Sequence, residues 1–189
     1  MKPTLIAALV LGIACGLTSV SLSQTDDVFA FIPEGGRTLL AGVAEAGLPD
    51  STLNEYKSGT RTSLEWLALL EQAAASAPAV AALDEYQRQT LADYLFYNAP
   101  LGADLTPDAL PMDGRDMTLR YCQSCHIVTV VVTQSRAREA WLGTMNKPSH
   151  VEIDLTPAQR EALADYLVVN AGIPIEEVPP ELRAGGASY

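Results

Sequence analysis

The chain has 189 residues, 48% of them hydrophobic and 19% charged. That is enough apolar side chain for one or two small cores and excludes disorder as its general state. The net charge of −11 excludes a nucleic-acid binder, which needs a basic face. An acidic surface instead suits solubility or the steering of basic partners.

The first element is N-terminal. Lys2 precedes the apolar stretch "LIAALVLGIACGLTSVSL" and then the polar "SQTDD". One positive charge, an apolar run and small residues before a polar start predict a secretory signal peptide over 1–23, cut after Ser23, and export to the periplasm. Two alternatives stay open. From Leu5 to Leu22 an uncleaved anchor would be short and interrupted by glycines. Lipid attachment at Cys15 would follow "LGIA", where Gly12 stands in the place a lipoprotein signal usually gives to leucine. No stable membrane span is expected after cleavage.

Residues 24–105 contain no cysteine, histidine or methionine and carry 12 acids against 4 bases. "RTSLEW" (61–66) and "LADYLFYN" (91–98) read as helices of a first domain. A linker rich in proline and glycine, "NAPLGADLTPDALPMDG" (98–114), separates it from a second domain over 106–189, which carries 11 acids and 7 bases.

The second domain opens with "GRDMTLRYCQSCH", predicted as a helix with Leu119 and Cys122 on one face. Two of the chain's three cysteines lie here, in the spacing C-x-x-C-H: Cys122, Cys125, His126. With the signal removed no other cysteine remains, which excludes a disulfide scaffold. A redox C-x-x-C wants a βαβ context, and no such alternation is present. A zinc site wants four ligands, and the only other histidine is His150. C-x-x-C-H is the attachment sequence of a c-type haem. Two thiols on one helical turn add to the two vinyl groups, and the next histidine lies under the iron. "SRAREAWLGTM" reads as a middle helix. "LTPAQREALADYLVVNAG" reads as the last, with Thr156 as N-cap, Pro157 at N1, Gln159 at N3, and a stop at Gly172 and Pro174. Leu155, Leu163, Tyr166, Leu167 and Asn170 share its apolar face. The tail "GIPIEEVPPELRAGGASY" reads as an extended arm that could lie over a neighbour.

Over roughly 106–189 these residues resemble the class I cytochrome c family. The resemblance implies an all-α fold in which a helix carries C-x-x-C-H, a middle segment supplies the sixth iron ligand and a last helix packs across the first through an aromatic, here Tyr166. It implies one covalent haem c held by Cys122 and Cys125, with His126 on the iron. A low-spin site takes methionine or histidine as sixth ligand. Met112 and Met117 lie too close before Cys122, leaving Met145 or His150. Met145 shares a helix face with Trp141, and a Trp followed by a Met is common in bacterial members. There the Met usually comes about two turns later, where this chain has Pro148. His150 sits on the loop beyond. Arg136 and the Trp141 ring nitrogen are suggested propionate contacts.

The first domain echoes the second. "RTSLEW" matches "RAREAW", and "LADYLFYN" matches "LADYLVVN" in the same order. Aligned back from the tryptophans, Val43, Ala46 and Gly47 stand where Cys122, Cys125 and His126 stand. The expectation is a repeat whose first, cytochrome c-like copy has lost its haem. Leu39, Leu40, Val43, Trp66, Leu67, Leu70, Leu91, Tyr94 and Leu95 would then close the space. A chance likeness between two amphipathic helices is the competing reading. The function expected is single-electron transfer in the periplasm, as a carrier or as a subunit of a larger oxidoreductase. A basic redox partner would dock on the acidic first domain. The alternative is a haem enzyme or sensor with an open or displaceable sixth ligand.

Overall fold

Nine α-helices and no strand are formed among residues 27–183, the part of the chain described by the computed structural model. The expected signal peptide, its cleavage point and Cys15 lie outside the described residues, as do residues 184–189. The first half holds α1 (Gly36–Glu45), α2 (Asp50–Ser58), α3 (Ser63–Ala74), α4 (Pro78–Ala81) and α5 (Glu85–Asn98). The second holds α6 (Gly114–Met117), one π-helical turn (Thr118–Cys122), α7 (Thr129–Val132), α8 (Arg138–Met145), α9 (Pro157–Asn170) and a 3₁₀ turn (Pro180–Leu182). None of these helices is long and apolar enough to cross a membrane.

Local chemistry sets the helix starts. Reciprocal capping boxes begin α3 (Thr62 with Glu65), α5 (Asp84 with Gln87), α6 (Asp113 with Asp116) and α9 (Thr156 with Gln159). Each satisfies two backbone N–H groups that the first turn would otherwise leave orphaned.

Two apolar clusters fill the halves. The first gathers Leu39, Leu40, Val43, Trp66, Leu70, Leu91, Tyr94 and Leu95, with Leu67 packed at its edge. It also takes in Tyr56 of α2, which is fully buried and lies 5.9 Å from Trp66, ring centre to ring centre. The second cluster is built on Met117, Trp141, Met145, Leu155, Leu163, Tyr166 and Leu167. A third joins Ile32, Val128, Val132, Ile173 and Val178, tying the segment before α1 to the second half.

The halves meet along α5 and α9 through contacts that are reciprocal, as across a two-fold axis. Within the first half Gly36 of α1 lies against Tyr94 of α5, and within the second Gly114 of α6 lies against Tyr166 of α9. In both cases a built Cβ would fall 2.1 Å from the tyrosine Cβ, so only glycine lets the helices approach this closely. The Tyr94 hydroxyl donates to the Pro111 carbonyl (2.9 Å), and the Tyr166 hydroxyl donates to the Pro33 carbonyl (2.6 Å). Each tyrosine thus reaches into the segment leading to the other half's first helix. The arginine after each glycine also crosses over. Arg37 donates to Asp116 (2.7 Å), while Arg115 donates to the carbonyls of Ile32 (3.2 Å) and Phe29 (3.0 Å). Asn98 and Asn170 each donate back to the carbonyl of the tyrosine four residues earlier.

Two expected elements differ. The helix expected over 114–126 breaks after one α turn into the π turn. Thr118 Oγ1 donates to the Gly114 carbonyl four residues back (2.7 Å), a bond that bends helices. Leu119 consequently packs in the third cluster and Cys122 in the second, so they do not share a face. The tail is not an extended arm over its described length. The Gly172 and Ile173 amides donate to the Val132 carbonyl (2.8 and 3.1 Å), Thr129 Oγ1 donates to the Leu182 carbonyl (2.8 Å), and Ile173 and Val178 are buried. Their apolar area is more stable against Val128 and Val132 than in solvent. Gly172 takes φ +88° to make this turn, so it docks the tail rather than closing α9 with its own N–H.

Candidate functional site

A cleft of about 200 Å³, partly open to solvent, lies between the π turn, α8, the loop after it and α9. Its walls bring together Cys122, Cys125, His126, Arg136, Trp141, Met145 and His150, which are 28 residues apart at their extremes.

The motif is presented by the end of the π turn. Cys122 is its last residue and is half-buried against the second cluster. The chain then turns, with the amides of Cys125 and His126 donating to the Cys122 carbonyl (3.4 and 3.0 Å). This turn places the Cys125 and His126 side chains at the exposed rim. Burial, helped by the nearby Cys125, pushes the Cys122 thiol up to about 11. A thiol so shifted is protonated at neutral pH, unlike the activated thiolate of a redox dithiol.

The opposite wall is formed by α8 and the loop that leads on to α9. Trp141 is buried, and its ring N–H has no hydrogen-bond partner among the described residues. Arg136 stacks over this indole at 5.1 Å and donates to Thr144 Oγ1 (3.1 Å), with no carboxylate in reach among the described residues. Met145 ends α8 and is buried with Met117, Leu155 and Leu163. His150 is half-exposed and faces His126, ring centres 6.0 Å apart and planes inclined by 21°. Val130, Val131, Ile153, Leu155, Leu163 and Leu167 supply the apolar floor.

One further site residue lies outside the set named from sequence. Arg160, in the first turns of α9, is buried and lines the cleft. Its guanidinium donates to four main-chain carbonyls: Met145 (2.7 Å), His150 (3.3 Å), Val151 (3.1 Å) and Ile153 (2.9 Å). The one cue in the sequence is a cation close to a helix N-terminus, where the helix dipole disfavours positive charge.

Among the described residues, the first half repeats the tryptophan wall with the space beside it filled. Arg61 stacks over Trp66 at 5.2 Å, and the Trp66 ring N–H is also buried without a partner among the described residues. There, however, Glu55 of α2 pairs with Arg61 at 2.5 Å, and Tyr56 occupies the space beside the indole. No cluster of three or more His, Cys, Asp or Glu side chains able to hold a metal ion exists among the described residues.

No family model matches the chain, and neither a curated protein nor a solved structure matches it.

Proposed function

We propose that this protein is a c-type cytochrome of the periplasm that passes single electrons through one haem c, as a carrier or as the electron-transfer subunit of a larger oxidoreductase. The observation that carries this reading is the cleft itself. It places the C-x-x-C-H side chains along one wall and Met145 and His150 on another, over an apolar floor.

The residues present fit the group. The described residues offer no ligand cluster of their own for a metal ion, so a metal in this cleft would have to bring most of its ligands with it, as a porphyrin does. Cys122 and Cys125 would hold the macrocycle by thioether bonds, and His126 would bind the iron. Arg136, without a carboxylate partner, and the orphaned Trp141 N–H would take the acidic edge. When bound, the haem supplies a one-electron iron couple. The chain's own part is to orient it and keep water off one face with Val130, Val131, Leu163 and Leu167.

The same chemistry supports reading the first half as a copy that has lost its haem. Glu55 gives Arg61 the carboxylate that a propionate would give Arg136, and Tyr56 fills the space beside Trp66. The Trp66 N–H keeps no partner, which costs about 1–3 kcal/mol for a buried donor and has no use there unless inherited. The more acidic first half would then serve as the docking face for a basic redox partner.

The test is export of the chain in a bacterium with a c-type maturation system, beside a Cys122→Ser/Cys125→Ser double variant. Expected is a haem that survives denaturing electrophoresis in the wild type and is lost from the variant, with reversible one-electron voltammetry. A folded, exported wild type with both thiols free would contradict the proposal.

A further inference from the structure

We infer that His126 and His150 would be the two protein ligands of the haem iron in this cleft, and that buried Arg160 is the residue that positions His150. The inference rests on the haem reading above and deepens it.

Three features of the chain carry it. First, the two rings face one another at 6.0 Å with planes only 21° apart. Metal–imidazole bonds of about 2.0–2.1 Å on each side put two ring centres roughly 6 Å apart, so turning the nitrogen edges of the stacked rings inward, with their separation unchanged, would let both bind one ion. Second, Ser149 Oγ lies 3.0 Å from His150 Nδ1. With Nδ1–H donating to that hydroxyl, Nε2 is left as the free ligating nitrogen, the arrangement in which an outer partner fixes ring orientation. Third, the loop that bears His150 is clamped. Arg160 has no carboxylate within ion-pair distance among the described residues; its donors go to the carbonyls of Met145, His150, Val151 and Ile153. A buried guanidinium is costly unless its donors are satisfied, and here four carbonyls of one loop and the adjoining helix end satisfy it. That cost is explained if the loop must be held still. Met145, by contrast, belongs to the packed second cluster with Trp141, Met117 and Leu163.

The consequence is a lower reduction potential than a histidine–methionine pair would give, since a thioether favours reduced iron. It also means a closed site that does not take up external ligands.

The experiment uses the haem-loaded, full-length protein. Near-infrared and electron paramagnetic resonance spectra of the oxidised wild type are expected to show a low-spin bis-imidazole iron without the sulfur-to-iron charge-transfer band. Met145→Leu leaves both spectra unchanged. His150→Ala turns the iron high-spin and makes the reduced protein bind carbon monoxide, which the wild type does not; His150→Met introduces the sulfur band and raises the potential. Arg160→Leu weakens the hold of His150 on the iron by about 10- to 100-fold, read as carbon monoxide uptake that the wild type lacks, and Arg160→Lys, which keeps the charge and should fold if the leucine variant does not, recovers only part of the loss. A sulfur band in the wild type, or its low-spin signal lost in Met145→Leu, overturns the assignment of His150 while leaving the haem reading intact. Wild-type spin state and carbon monoxide binding in both Arg160 variants overturn the positioning role. A chain that carries no covalent haem overturns the cofactor reading, and this inference with it.

Discussion

Asp113 shows how much a single side chain does in this molecule. It caps α6 by accepting from the Asp116 amide (2.9 Å) and crosses the interface by accepting from the Arg37 amide (2.9 Å). Gly35 must lack a Cβ because one would fall 2.0 Å from the Asp113 carboxylate. Burial, with the charge of Asp116 adding to it, raises the Asp113 carboxyl above its ordinary range. A folded-state value above the unfolded one means a stabilising contribution that is complete below the unfolded value and lost as pH rises through the folded one. The stability of wild type relative to Asp113→Asn, whose neutral amide mimics the protonated carboxyl, should therefore fall as pH rises from ~4 toward neutrality in equilibrium unfolding. A wild type that gains stability relative to Asp113→Asn as pH rises would show that the carboxylate is favoured in the folded protein. Arg160 is hidden from sequence reading because a lone arginine on a helix reads as a solvated charge. Its partners are main-chain carbonyls, which carry no residue signature. Tyr56 is hidden for a related reason: it lies in α2, outside the strings that repeat, so nothing in them points to a plug.

Among the elements, each half is held by its own glycine contact, α1 on α5 in the first and α6 on α9 in the second, while α5 packs on α9 between them. Gly36→Ala and Gly114→Ala each push a methyl onto a tyrosine Cβ, an atom too near the backbone to swing aside. Each should destabilise by about 1–3 kcal/mol or more, and by similar amounts because the contacts correspond. Chemical denaturation curves measure this; a loss from Gly114→Ala with none from Gly36→Ala would break the correspondence. The helices themselves are largely legible. Thr156, Pro157 and Gln159 announce α9, and the predicted face of Leu163, Tyr166, Leu167 and Asn170 is buried. The π turn is not legible, because it depends on Thr118 bonding its own helix rather than on apolar spacing. Nor is the folding back of the tail, where prolines suggest extension but Ile173 and Val178 find an apolar seat.

Across the whole molecule, the seven site residues named from sequence meet in one cleft, while the matching place in the first half is closed by α2. The short repeated strings correspond to matching contacts. Arg61 and Arg136 stack on tryptophans, and Tyr94 and Tyr166 exchange hydrogen bonds with the opposite half. What the strings could not convey is that the two halves interlock, since reciprocity is a property of the assembled pair. An open cleft in one half and a plugged one in the other set the expected haem content at one, on the second half only. Intact-mass spectrometry of the exported protein counts it. The expected mass is the polypeptide plus a single haem, carried by the peptide containing Cys122 and Cys125. A mass equal to the bare polypeptide, in cells that mature other c-type haems, would refute the cytochrome reading.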